Sequence, residues 1–158
     1  MPPLQVGDRV PDVTLQAHDG STLRLADMVG RRPLVLFFYP KDDTPICTKE
    51  ACAFRDSYET FSAAGAEVIG ISSDTAASHR AFAARHKLPF LLASDPDGSL
   101  RKTFGVPKTL GLFPGRVTYV VDRDGIIRLV FSAQLASQDH VTKALAAVSA
   151  IDGATPAP

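Results

Sequence analysis

The chain lacks the features that mark several large classes of protein. Its seventeen basic and seventeen acidic residues cancel and form no basic block, so the positive surface that binds nucleic acid is not expected. No stretch is apolar over the length of a membrane span, and the N-terminus has no basic segment followed by an apolar one. These absences predict a cytoplasmic protein with no nucleic-acid or membrane partner.

Cysteine is also scarce, since the 158 residues contain only Cys47 and Cys52. One close pair does not make a disulfide scaffold, and in a reducing compartment such a pair is more often reactive or metal-binding than structural. The four histidines are scattered, with no second cysteine pair or paired spacing to complete a tetrahedral metal site. We therefore expect a reactive pair, no bound metal, and histidines that lie on the surface without a catalytic role.

The sequence around Cys47 predicts a buried strand, a loop and a helix that begins near the cysteine. Residues 34–39 are apolar throughout, as in a strand covered on both faces. Thr44 and Pro45 form a helix-start signal, because a hydroxyl can accept a bond from a free amide and proline at the first helical position loses nothing. Cys47 is then the third helical residue, where the helix dipole and unpaired amides favour a nucleophilic thiolate.

Further elements follow from turn signals and periodicity. Alternating residues on both sides of Asp19 and Gly20 predict an N-terminal β-hairpin. The cysteine helix is expected to run to about Ala64 and to end at Gly65 in a left-handed conformation. The next helix should be capped by Ser73 or Asp74 and end near Lys87.

The last third of the chain predicts a second hairpin around residues 122–125 and a final helix from about Ser137, which buries Val141, Leu145, Val148 and Ile151. Strands that alternate with helices imply an α/β protein with a mixed central sheet and helices on both faces. The order is that of a thioredoxin-like fold with an N-terminal hairpin extension. Residues 1–151 should form this one domain, and residues 152–158 a flexible tail.

The pattern PxxxTxxC begins at Pro40 and ends at Cys47, and the second cysteine, Cys52, follows five residues later. This specific motif lies in residues 38–45 (FYPKDDTP) and 47–52 (CTKEAC). They resemble the signature of a peroxiredoxin and are most similar to the peroxiredoxin Q, or bacterioferritin comigratory protein, group. Residues 68–72, 92–96, 104–106 and 116–122 match further, and the resemblance covers about residues 7–150. It implies a thioredoxin-fold enzyme that reduces hydrogen peroxide and organic hydroperoxides without a cofactor.

The resemblance also assigns roles to residues at matching positions. Cys47 would be the peroxidatic cysteine that attacks the peroxide, and Pro40 would shield it. Thr44 would bind the peroxide, and Arg116 would complete the site. Cys52 matches the resolving cysteine of members that carry it on the same helix, so a disulfide between the two cysteines would be reduced by thioredoxin or a similar dithiol protein.

The spacing of the cysteines has a mechanical consequence. Five residues apart on an intact helix, the Cα atoms of Cys47 and Cys52 lie roughly 8 to 9 Å apart, beyond the ~7 Å within which a disulfide forms without backbone movement. The first turns of the helix must therefore unwind in each cycle. Glu50 lies about 60° around the helix from Cys47 and is predicted to orient Arg116, although an ordinary first-turn glutamate explains it equally well.

Several alternatives remain open at this point. Ile46 stands where the group usually has glycine, and its β-branched side chain restricts the backbone and narrows access to the thiol. Cys52 could lack a role, so that an external thiol resolves the sulfenic acid. A thiol-disulfide oxidoreductase would share the fold, and a non-catalytic redox sensor or holdase would use the same cysteine. The neutral surface favours a monomer.

Overall fold

The computed structural model describes residues 3–28, 31–106, 108–109, 113–133 and 137–153, and seven strands in them form one mixed sheet. The sheet is built around β3 (Leu34–Phe38), which is buried along its whole length and pairs in parallel with β4 (Glu67–Ser72). In the order β2-β1-β5-β4-β3-β8-β9, the other strands are β1 (Thr14–Ala17), β2 (Thr22–Arg24), β5 (Leu91–Ser94), β8 (Val117–Val121) and β9 (Ile127–Ser132). A separate two-stranded ribbon consists of β6 (Lys108–Thr109) and β7 (Phe113–Pro114).

Helices cover both faces of the sheet. They are α1 (Leu25–Met28), α2 (Pro45–Asp56), α3 (Tyr58–Ala63), α4 (Ala76–His86), α5 (Ser99–Phe104) and α6 (Ser137–Gly153). Alternate residues of β3 point to opposite faces, so Phe37 packs in a core under α2, α3, α4 and α6, while Leu36 and Phe38 pack in a second core with α1 and α5. The predicted mixed sheet, its two helical layers and the N-terminal hairpin are confirmed. No helix in the described ranges is long and apolar enough to cross a membrane.

The prediction of one continuous cysteine helix up to Ala64 is wrong. The helix breaks at Ser57, whose amide hydrogen is shared between the carbonyl oxygens of Ala53 and Phe54 at 3.2 Å each. Such a shared bond tightens the last turn, and the chain resumes as the short helix α3. Gly65 does adopt the predicted left-handed conformation, with φ of +80°.

Two cap predictions also need correction. Helix α4 is capped by Thr75, which accepts a hydrogen bond from the amide of Ser78 at 3.1 Å, and not by Ser73 or Asp74. The carboxylate of Asp74 is used elsewhere, because it accepts a bond from the hydroxyl of Ser72. The helix ends at His86, and Lys87 is its C-cap residue.

The C-terminal helix differs from the prediction in two respects. Val141 and Val148 are buried as expected, but Ala144 completes the buried stripe, and Leu145 and Ile151 are only partly buried. The helix continues to Gly153, so the predicted tail does not begin at residue 152. The rest of that tail, residues 154–158, lies outside the described residues.

Gly70 on β4 gives a test of this packing. A Cβ atom added there would lie 2.7 Å from Cζ of Phe37 and 2.8 Å from Cδ2 of Leu92. We predict that Gly70→Ala lowers the free energy of unfolding by about 1–3 kcal/mol, as overpacked cores do, measured by urea denaturation. Adding Leu92→Val should recover part of the loss, and a Gly70→Ala variant as stable as the native chain would contradict the packing described.

Candidate active site

Cys47 is the third residue of α2, and its side chain belongs to the same core as Phe37. Its side chain is 1% exposed, and it shares the core-facing side of the helix with Ala51, Phe54 and, beyond the break, Phe61. Cys52 lies on the same helix and is half-buried, and both cysteines are free thiols. Because α2 is continuous from Pro45 to Asp56, an intrahelical disulfide requires this helix to open.

Arg116, directly before β8, brings a positive charge to the cysteine. Its Nη2 donates to Sγ of Cys47 at 3.2 Å, and its Nη1 donates to Oε1 of Glu50 at 2.8 Å. All three side chains are buried, with Arg116 only 3% exposed. Burial raises the pKa of Glu50 to about 7, although the charge and hydrogen bond of Arg116 act in the opposite direction. The contact expected between Glu50 and Arg116 is therefore present.

His140 on α6 stands behind Glu50, and this corrects the prediction that the histidines lie on the surface. His79 and His140 are both fully buried. Nδ1 of His140 lies 3.4 Å from Oε2 of Glu50 and 2.7 Å from Oγ1 of Thr118. Burial lowers the pKa of His140 to about 4. The sequence contained no signal for this contact, because it depends on the packing of α6 across α2.

Pro40 and Thr44 lie in the loop that leads into α2. Pro40 is half-buried directly after Tyr39, and Thr44 occupies the N-cap position of the helix. The hydroxyl of Thr44 does not accept a bond from a helix amide, contrary to prediction. It donates to the carbonyl oxygen of Lys41 at 2.9 Å, so it must rotate before it can donate to a substrate.

A buried polar cluster ties the same loop to α4. The carboxylate of Asp42 accepts bonds from the hydroxyl of Tyr39 at 2.6 Å and from Nδ1 of His79 at 2.8 Å. The hydroxyl of Ser78 donates to it as well, and the amide of Asp42 donates to Asp74 at 2.8 Å. Oxygens of the carboxylates of Asp42 and Asp74 and a ring nitrogen of His79 lie within 4.8 Å of one another, which would suit a metal ion. Hydrogen bonds already occupy these atoms, so the cluster fixes the loop against α4. We call this cluster the latch.

Arg101 on α5 is a further residue that sequence reasoning missed. Its Nη2 donates to the carbonyl oxygen of Tyr39 at 2.6 Å, and its Nη1 donates to the carbonyl oxygen of Gly115 at 2.9 Å. Those residues immediately precede Pro40 and Arg116. Burial lowers the pKa of Arg101, against the opposing charges of Asp95 and other neighbours. One guanidinium thus holds the two segments of the site at a fixed spacing.

The arrangement combines a buried thiol, a guanidinium within hydrogen-bond distance of it, and a fixed loop beside it. A guanidinium is permanently charged and offers several N–H donors in a plane. It can therefore stabilise a thiolate and an oxygen atom that approaches the sulfur. These are the requirements of a cysteine nucleophile that attacks an oxygen-containing substrate.

Comparison with known proteins places the chain in a family. The sequence model described as the AhpC/TSA family matches residues 6–130. The chain belongs to the AhpC/TSA family. Within it, the chloroplastic peroxiredoxin Q of Triticum aestivum is 51% identical over 140 residues, which cover 88% of this chain and 64% of that protein. The resemblance to peroxiredoxin Q is confirmed. The chain spans less than two thirds of the length of the first curated relatives, 64–65%.

Solved structures of this family share the fold. Peroxidoxin BcpB from Mycobacterium tuberculosis superposes with a TM-score of 0.85 at 38% identity, over 94% of this chain and 98% of that one. The bacterioferritin comigratory protein of Xanthomonas campestris gives a TM-score of 0.83 at 31% identity, over 92% and 98% of the two chains. The thioredoxin-like fold is thereby confirmed.

The comparisons contradict the predicted cytoplasmic location. Family relatives that are 50–51% identical to the chain are named as chloroplastic proteins. The prediction rested on the lack of an apolar span and of a basic segment followed by an apolar one at the N-terminus, and neither absence is specific to the cytoplasm. That prediction was wrong.

The latch at Asp42 predicts a pH-dependent stability. Burial by itself raises the pKa of Asp42, but the bonds from His79 and Tyr39 outweigh it and hold the pKa below the ordinary value of 3.8. A carboxylate whose pKa is lower in the folded state than in the unfolded state stabilises the fold at pH values above its unfolded-state pKa. This stabilisation is lost as the pH falls through its folded-state pKa. We predict that Asp42→Asn lowers the free energy of unfolding by about 3 kcal/mol near pH 7, and by progressively less below pH 3.8.

The matched control is Asp12→Asn, which removes a carboxylate from an exposed ion pair with Arg24. Exposed pairs contribute little, so this variant should unfold at nearly the native urea concentration. Equal effects of the two substitutions would contradict the role of the latch.

Proposed function

We propose that the chain is a thiol-dependent peroxidase in which the thiolate of Cys47 reduces hydrogen peroxide and organic hydroperoxides. The observation that carries the proposal is the buried hydrogen bond from Arg116 to Sγ of Cys47. A thiolate removed from water needs a fixed positive charge, and this guanidinium also has donors for the oxygens of a peroxide. The Xanthomonas campestris relative, whose structures concern alkyl peroxide reduction, supports the substrate class.

The first step forms a bond between Sγ of Cys47 and one peroxide oxygen while the O–O bond breaks. The thiolate supplies the electron pair, the sulfur is oxidised to a sulfenic acid, and the other oxygen leaves and gains a proton to become water or an alcohol. Negative charge moves from sulfur to oxygen, and Arg116 stays close enough to stabilise it in both positions. In this proposal Thr44 donates its hydroxyl to the peroxide, and Pro40 shields the sulfur from bulk water.

The second step forms a disulfide between Cys47 and Cys52 and releases one water molecule. The thiol of Cys52 attacks the sulfenic sulfur, for which the first turns of α2 must unwind. A thioredoxin-like dithiol protein then reduces the disulfide by exchange and is itself oxidised. This cycle uses thiol chemistry throughout and needs no cofactor or metal.

We also propose that the chain acts as a monomer. Among the side chains whose exposure is described, Val6 is the one large apolar residue that stands exposed. A stable interface usually includes an apolar patch of a few hundred square ångströms. The described surface offers none of that kind.

Turnover of the two cysteine variants tests the cycle. Cys47→Ser should abolish peroxide consumption in the presence of thioredoxin, its reductase and NADPH, because no attacking thiolate remains. Cys52→Ser should consume one equivalent of peroxide and then stop, since the sulfenic acid has no partner in the chain. Continued turnover by Cys47→Ser would overturn the proposed function, and full turnover by Cys52→Ser would overturn only the intrahelical disulfide.

Two substitutions of Ile46 distinguish the effect of access to the Cys47 thiol from the effect of helix unwinding. Ile46→Ala removes the branched side chain but keeps a good helix former, whereas Ile46→Gly also weakens the helix by about 1 kcal/mol. Stopped-flow kinetics would measure thiol oxidation and disulfide formation separately. We expect both variants to oxidise bulky hydroperoxides faster, and Ile46→Gly alone to speed disulfide formation by about fivefold. Equal disulfide rates in the two variants would contradict the unwinding step.

A further inference from the structure

The antiparallel ladder between β3 and β8 ends at the edge of the candidate site. Its last pair is Phe38 with Val117. Beyond that pair, Pro40 has no amide hydrogen with which the ladder could continue, and the chain turns into the loop that leads to Thr44. The two segments that carry Pro40 and Arg116 therefore need another connection to keep a fixed distance from each other.

Arg101 supplies that connection from α5. Its Nη2 donates to the carbonyl oxygen of Tyr39 at 2.6 Å, and its Nη1 donates to that of Gly115 at 2.9 Å. Tyr39 precedes Pro40 and Gly115 precedes Arg116, so each bond fixes the peptide group that leads into a residue of the site. The planar fork of a guanidinium holds two acceptors in one geometry. The fork thus takes the place of a ladder bond where the two strands diverge.

The guanidinium of Arg101 is itself held in place. Its central carbon, Cζ, lies 5.8 Å from the ring centroid of Phe38, within the range of a cation–π contact. At the start of α5, the carboxylate of Asp95 accepts hydrogen bonds from the amides of Leu100 and Arg101 at 2.9 and 3.0 Å. The amide of Asp95 donates in turn to the carbonyl oxygen of Ser72 at the end of β4, at 2.7 Å. Arg101 is therefore fixed to the sheet through both its backbone and its side chain.

We propose that Arg101 is a positioning residue for the reaction of Cys47 with peroxide. It acts through the two carbonyl oxygens that it binds, which set the spacing between two sides of the site. One side is the loop from Pro40 to Thr44, and the other is the guanidinium of Arg116. The inference rests on the proposed function, because it assigns these two sides to the oxygens of a peroxide.

This spacing matters because the thiolate attacks one oxygen in line with the O–O bond. A displacement of about 1 Å between reacting groups can lower a rate constant about a hundredfold. Thr44 and Arg116 belong to different chain segments, so their relative position depends on the contact that joins these segments. The latch at Asp42 ties the loop to α4, whereas the fork of Arg101 ties it to the segment of Arg116.

The charge of Arg101 offers a second explanation, which can be tested separately. Burial lowers the pKa of Arg101, the negative charges of Asp95 and the Cys47 thiolate raise it, and the charge of Arg116 lowers it further. A second positive charge near the sulfur would favour the thiolate whatever the orientation of the guanidinium. The positioning role differs, because it predicts a loss of peroxide reactivity even where the thiolate is fully formed.

The test compares two reagents on Cys47 in a Cys52→Ser background, which leaves one thiol. Hydrogen peroxide needs its oxygens to be held against the sulfur, whereas iodoacetamide alkylates the thiolate at carbon and releases iodide. Both rate constants are taken from the upper plateaus of their pH profiles, where an effect on the thiol pKa no longer matters. We expect Arg101→Met to lower the peroxide rate constant about a hundredfold and to leave the alkylation rate constant nearly unchanged.

Two further variants separate the fork from the charge and from general damage. Arg101→Lys keeps the positive charge but replaces the planar fork with a single ammonium group, so it should also lower the peroxide rate constant at the plateau. Arg80→Met is the matched control. Arg80 is an exposed residue of α4 that donates to the carbonyl oxygen of His18 at 3.3 Å, and β1, which precedes His18, is separated from β3 by two strands. This control should change neither rate constant.

Three outcomes would overturn the inference. A peroxide rate constant that Arg101→Met leaves unchanged would show that the site does not depend on the fork. An equal fall in both rate constants would assign the effect to structural damage, and full peroxide reactivity in Arg101→Lys would assign it to charge. The proposed function fails in a different way: a Cys47 thiolate that reacts with peroxide no faster than free cysteine would overturn it before any Arg101 variant is made.

Discussion

A guanidinium buried between a thiol and a carboxyl determines how this molecule is built. Removing a charge from water costs several kcal/mol unless close partners compensate, so Arg116 needs both Cys47 and Glu50 beside it. The two partners are one helical turn apart, which obliges α2 to lie over the sheet with this side inward. The strand that follows Arg116 lies next to β3 in the sheet. Strand β3 precedes α2 and strand β8 follows Arg116, so adjacent strands of the same sheet position the helix and the guanidinium.

The sequence revealed the local part of this arrangement and missed the part made by distant elements. Pro45 at the helix start and the spacing of Cys47 and Glu50 were enough to predict which residues share a face, because helical geometry fixes them. His140 lies 90 positions after Glu50 in the chain, and no periodicity connects the two. Its contact exists because α6 packs across α2, which is a property of the assembled core.

Local signals failed where a side chain had a better partner elsewhere. Asp74 had the composition of a helix cap, yet its carboxylate binds Ser72 and the amide of Asp42. Ser57 gave no signal of a break, because neither proline nor glycine stands at that position. Strand pairing was easier to predict, since the uninterrupted apolar run of β3 requires cover on both faces.

Because α2 is continuous from Cys47 to Cys52, the helix must open in the proposed cycle, and the rate of that opening depends on temperature. In that cycle, attack on the peroxide would require only rotation of the Thr44 hydroxyl, whereas the approach of Cys52 to Cys47 would be a local unfolding event. Unfolding rates rise about 3–6-fold for each 10 °C, more steeply than most chemical steps. Cooling should therefore lengthen the life of the sulfenic acid more than it slows its formation. A second peroxide would then have more time to oxidise the sulfur beyond recovery, so the risk of irreversible inactivation is greatest in the cold.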